Sequence, residues 1–99
     1  MKLKLHDKVE PKIKIKYRKL GKERAWGIAH SDGLIEIDPS VKSKKHLEIV
    51  IHEVLHILFP KASETEIVNK SITLTKILWA EHYRRVEPEV IQPLQDGSK

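Results

Sequence analysis

The chain has no cysteine among its 99 residues. Disulfides are excluded, and so are thiolate ligands, so any bound metal must be held by histidine or by oxygen donors. Aromatic residues make up only 5%, and they do not interleave with the lysines as they do on nucleic-acid-binding surfaces. No apolar stretch is long enough to span a bilayer. The segment Met1-Lys2-Leu3-Lys4-Leu5-His6-Asp7 is too polar for a signal-peptide core. A soluble, cytoplasmic protein with no membrane partner is expected. Asparagine occurs once and glutamine twice. With abundant Lys, Glu and Ile, that scarcity resembles the compositional bias of hyperthermophile proteins.

What is present is positive charge and a modest apolar content. The net charge is +5, but the lysines spread along solvent faces without an arginine cluster. A nucleic-acid partner is therefore not expected, and a nucleic-acid-associated activity would rest on net charge alone. Only 39% of the chain is hydrophobic. A chain of this size makes one domain with one small core, built from two or three amphipathic elements.

Lys12-Ile13-Lys14-Ile15-Lys16-Tyr17 alternates strictly, the period-two pattern of a half-buried strand. Residues 26–29 and 34–37 predict two further strands, joined through Ser31-Asp32-Gly33, which carries hairpin turn chemistry. Asp38-Pro39-Ser40 breaks the third strand. A helix is predicted over 43–59, stopped by Pro60. A second begins at Ser63, which has capping-box spacing to Glu66, and is expected to run to about residue 85. The fold class is α+β: a small antiparallel sheet of about three strands, covered on one face, packed on two long helices.

The first helix carries His52-Glu53-Val54-Leu55-His56. Residues four apart share one helical face, so both imidazoles can grip one metal ion. Glu53 then sits beside a metal-bound water, free to act as a base. A catalytic zinc usually takes a third protein ligand. Glu64 and Glu66 are the candidates, because the short connection places the start of the second helix near His56. At roughly 100° per residue, Ile67, Val68, Ser71, Ile72, Leu74, Thr75, Leu78 and Trp79 occupy one broad core-facing arc. Glu64 falls near the centre of that arc, where a buried carboxylate needs a partner or a metal. It is preferred, with Glu66 as the alternative. Among the other histidines, His46 points from a different helical face, and His82 lies about 27 Å along the second helix from Glu64. His6 is remote in sequence, and His30 is either a group reaching the cleft or a turn-flanking polar residue.

These residues resemble the gluzincin metallopeptidases, and more closely the very small soluble group called minigluzincins. The likeness runs from Trp26-Gly27 through Leu34-Ile35-Glu36-Ile37-Asp38 and the helix Leu47 to His56. It continues through Ile57-Leu58-Phe59-Pro60 and Ala62-Ser63-Glu64. It implies a zincin-like minimal domain over residues 1–87, with His52, His56 and a glutamate holding Zn2+ and Glu53 as catalytic base. Similar sequences form the catalytic cores of some integral-membrane metallopeptidases. In the small soluble members a C-terminal segment blocks the cleft, which implies the same for residues 88–99 and a latent zymogen. One position departs from the pattern. Gluzincins often place an acid four residues after the ligand glutamate to support a zinc-bound histidine, and here that position is Val68. Ser71, Thr75 or a backbone carbonyl would have to supply that support. No transition-state donor is placed, since His82, Tyr83 and Arg84 lie far along the helix.

The expected function is a zinc metalloendopeptidase acting on a peptide or protein substrate through a Glu53-assisted, zinc-bound water. The alternative is a catalytically silent, zinc-stabilised interaction or regulatory module.

Overall fold

The computed structural model describes residues 11–86. The proposed tail, 88–99, and His6 lie outside them. Three strands, β1 (Lys14–Tyr17), β2 (Gly27–Ala29) and β3 (Leu34–Ile37), form one sheet in the order β1-β3-β2. Two helices follow, α1 (Ser43–Leu58) and α2 (Glu64–Ala80). The architecture is α+β, as the sequence predicts.

The sheet is mixed, not purely antiparallel. β2 and β3 form the expected antiparallel hairpin, but β1 lies parallel to β3, with Ile15 opposite Ile35 and Tyr17 opposite Ile37. The chain between β1 and β2 crosses from one edge of the sheet to the other, through a short 3-10 turn at Gly21–Glu23. Parallel strands need such a crossover, whereas a two-residue turn suffices for the hairpin. At the hairpin, Gly33 N–H donates to His30 O (3.0 Å) and the Leu34 amide donates to Asp32 Oδ1 (3.1 Å). Gly33 has φ +96°, and a Cβ there would collide with the Lys12 carbonyl, so glycine is required.

α1 is the middle layer. One side packs on the sheet and the other on α2, and among the described residues α2 packs on no strand. This position explains its composition: no glycine or proline interrupts residues 43–58, and apolar side chains occupy more than one face. Ile35, Ile37 and Val41 are buried, with Ile49, Val50, Val54 and Ile57 of α1 packed against them. Each fully buried isoleucine contributes about 1.5–3 kcal/mol. β1 is an edge strand, so its apolar face stays partly open: Ile15 is 38% exposed and Tyr17 42%.

α2 begins as predicted. Ser63 Oγ accepts from the Glu66 amide (3.1 Å), and the Ser63 amide donates to Glu66 Oε1 (3.1 Å), a complete capping box. It ends five residues earlier than expected, at Ala80. His82 takes a left-handed φ of 70°, its amide donates to Trp79 O, and the Tyr83 amide donates to Leu78 O. That pair of bonds is a Schellman ending with histidine where glycine is usual. The buried seam of α2 is Ile67, Ser71 and Thr75. Ile72 and Leu74, expected in the core, are 49% and 40% exposed because α2 has a single neighbour. Among the described residues, no helix is long and apolar enough to cross a membrane.

Candidate metal centre

Pro60 and the tight turn after α1, where the Ala62 amide donates to Phe59 O (3.0 Å), reverse the chain. The last turn of α1 therefore meets the first turn of α2. His52 and His56 project from one face of α1, with Nε2 atoms 3.2 Å apart. Glu64, the first residue of α2, reaches both: Oε2 lies 3.2 Å from His52 Nε2 and Oε1 lies 2.9 Å from His56 Nε2. Among the described residues, His52, His56 and Glu64 form a group whose ligand atoms all lie within 4.8 Å of one another and could hold a metal ion.

The separations test that possibility. Two imidazole Nε2 atoms at hydrogen-bond distance need a proton or a cation between them. Nitrogen and oxygen ligands about 2.0–2.1 Å from a tetrahedral zinc lie roughly 3.3 Å from each other. The His52–His56 edge, 3.2 Å, fits that spacing, and Glu64 approaches the two imidazoles through its two different oxygens, at 3.2 and 2.9 Å. The donor set, two imidazoles and a carboxylate, suits zinc and related divalent ions.

Glu66 does not join the group, because its carboxylate is spent on the capping box. Glu64 does join it, but not from a buried position: its side chain is 65% exposed, against 18% for His52 and 32% for His56. Helical phase points Glu64 towards α1, and its place in the first turn leaves it at the rim. The support expected from Ser71 or Thr75 is not found. Ser71 Oγ donates to its own helix, to Val68 O (2.9 Å), and Thr75 Oγ1 is buried without a hydrogen-bond partner.

Glu53 stands one step behind the triad. It is only 7% exposed. Burial pushes its pKa above the ordinary carboxylate value, the neighbouring His52 and His56 pull the other way, and Glu64 adds to the rise. The backbone of β2 presses on it. A Cβ built on Gly27 would stand 3.0 Å from Glu53 Cγ and 2.8 Å from Ile49 Cγ2. Gly27 thus holds room for the glutamate, a role the sequence reading did not assign. Its signal was present, since a glycine inside a strand often marks close backbone approach.

A cleft of about 490 Å³ opens beside Glu53, His56 and Ile57 of α1, walled opposite by Ala29, His30 and Ser31 at the end of β2. His30 borders it, but its ring is committed elsewhere: Nε2 lies 3.0 Å from Glu36 Oε1 on the sheet face away from α1. Glu36 is held in turn by Arg18, whose Nε and Nη2 donate to its two oxygens (2.8 and 2.9 Å), while Nη1 donates to Glu23 (3.1 Å). Arg18 and His30 hold the Glu36 carboxyl down to about 2. His46 is buried at the other end of α1, hydrogen-bonded to Tyr17 Oη (2.8 Å). Tyr83 and Arg84 line a separate cavity at that end, which shares no residue with the cleft. No family model, curated protein or solved structure matches the chain, and the case for a metal centre is made by its own residues.

Proposed function

We propose that the protein is a zinc-dependent metallopeptidase in which His52, His56 and Glu64 hold the ion and Glu53 is the catalytic base. The observation that carries this reading is the position of Glu53: buried, beside the triad, and on the wall of a cleft open to a ligand. A metal held only for structure has no use for a second, desolvated carboxylate at that point. When bound, zinc supplies Lewis acidity that lowers the pKa of water towards 7 and polarises a carbonyl oxygen.

The residues supply the rest. Glu53 takes a proton from the attacking water on a carboxylate oxygen and returns it to the amine nitrogen as the peptide C–N bond breaks. Its desolvation suits this work, because a carboxylate with a raised pKa is the stronger base. Gly27, lacking a Cβ, leaves the Glu53 side chain the space it occupies between β2 and α1.

Metal analysis combined with library proteolysis tests the proposal. The expected result is one zinc per chain and hydrolysis that Glu53→Gln reduces by roughly a hundredfold or more without loss of zinc. A parallel assay on a chain ending near Pro88 addresses latency, with higher activity expected after truncation. Intact peptides after long incubation with both zinc-loaded proteins would leave the metal-stabilised interaction module instead.

A further inference from the structure

The end of the helix pair opposite the triad holds a second cavity, of about 420 Å³. Its inner wall is apolar: Val41 just before α1, Leu47 and Val50 on α1, Trp79 near the end of α2 and Tyr83 just after it. Among the described residues, its polar lining includes Lys42, Arg84 and Arg85 and no acidic residue. The early ending of α2 builds this wall, because the left-handed turn at His82 carries Tyr83 and Arg84 back across the mouth.

The cationic side is held in place. The Arg84 guanidinium stacks on the Trp79 ring at 3.5 Å and donates through Nη1 to the Trp79 and Tyr83 carbonyls. Both bonds use one nitrogen, so Nε and Nη2 remain for a ligand. The Arg85 guanidinium sits 5.0 Å over the Tyr17 ring, itself hydrogen-bonded to His46 in the cavity wall. The first turn of α1 adds to the same potential: Lys42 gives it no side-chain cap, and the turn contains no acid. α2, by contrast, opens with a full capping box and two glutamates.

We infer that this cavity is a binding site for a small amphipathic carboxylate, its apolar body against Val50 and Trp79 and its carboxylate between Lys42 and Arg84. The volume lies within the range of small-molecule sites, and so does the combination of an apolar wall with a few convergent polar groups. The apolar wall selects against bare inorganic anions, and the cationic groups of Lys42 and Arg84 select against neutral molecules. The inference is independent of the metal centre.

The test is a titration of the full-length, 15N-labelled protein with 4-phenylbutyrate, with its neutral amide and with inorganic phosphate. 4-Phenylbutyrate is expected to shift the Ser43 and Lys44 amides and the Trp79 indole saturably. The neutral amide should bind about tenfold more weakly, the value of one charge-assisted contact. Lys42→Gln and Arg84→Gln should each weaken the carboxylate several-fold. The exposed Lys42 keeps the comparison usable even if Arg84→Gln loosens the turn. Equal binding of acid and amide overturns the site, as does phosphate binding as tightly as 4-phenylbutyrate. Shifts confined to the His52–His56 end, or no saturable shift at millimolar ligand, do the same.

Discussion

Two clusters in this molecule set carboxylates against imidazoles at nearly the same distances, and they do opposite things. On the outer face of the sheet, Glu36 lies 3.0 Å from His30, and Arg18 clamps it through two further bonds. Charge there is balanced by residues of the chain, and the cluster is complete. At the helix corner, Glu64 lies 2.9 and 3.2 Å from two histidines whose nitrogens face each other, with Glu53 buried behind. Among the described residues, the ion-pair partners of Glu64 are those two histidines, with no arginine or lysine. A His–carboxylate distance alone is uninformative. What separates a structural ion pair from a candidate metal centre is whether the protein itself supplies the balancing cation.

Experiments can press on that difference, starting with the largest effect. Hydrolysis should fall by roughly a hundredfold or more in Glu53→Gln with zinc retained, whereas Glu36→Gln should leave it within about twofold; peptide cleavage rates compare them directly. Next comes metal-linked stability. Zinc at a thousandfold above its dissociation constant should add about 4 kcal/mol to the parent, measured by thermal unfolding. Glu64→Ala should lose most of that gain, and Arg18→Gln none of it. A gain of equal size in all three proteins would sink the ligand assignment.

Smaller is the effect of crowding the base. Gly27→Ala inserts a methyl group against Ile49 and Glu53 and should cost about 1–3 kcal/mol. Hydrolysis should fall further than unfolding explains, while zinc content stays constant. Smallest is the acid limb of the complete cluster. Because Glu36 has its pKa lowered from 4.5 to about 2 in the folded protein, its contribution is fully present above the unfolded value. That contribution should fade as pH drops from about 4.5 towards 2. Glu36→Gln should flatten this part of the stability profile, and an unchanged profile would show that the clamp carries no weight.

Much of this was legible in the residues, for reasons that differ by element. Alternation at 12–17 marks a strand but does not encode its partner, so the parallel pairing of β1 could not be read from it. The start of α2 was explicit in Ser63 and Glu66, whereas its end was not, because His82 adopts a glycine-like conformation without being glycine. Glu64 shows a different gap. Helical phase gave the correct direction towards α1, but phase carries no information about depth, and a first-turn residue at a corner stays exposed. Gly27 was visible as an oddity within a strand. Its purpose appears only when α1 is laid against it.

The single-sided attachment of α2 has a consequence for how the molecule comes apart. Among the described elements α2 packs on α1 alone, and the fully buried part of its seam is one isoleucine and two small hydroxyl residues, one of them with an unpaired oxygen. The sheet and α1 share the larger apolar core. Were α2 to open as a cooperative unit, Glu64 would leave with it. A zinc ion bridging Glu64 to His52 and His56 would then be a clasp on that boundary, and metal supply would set how often the second helix lets go.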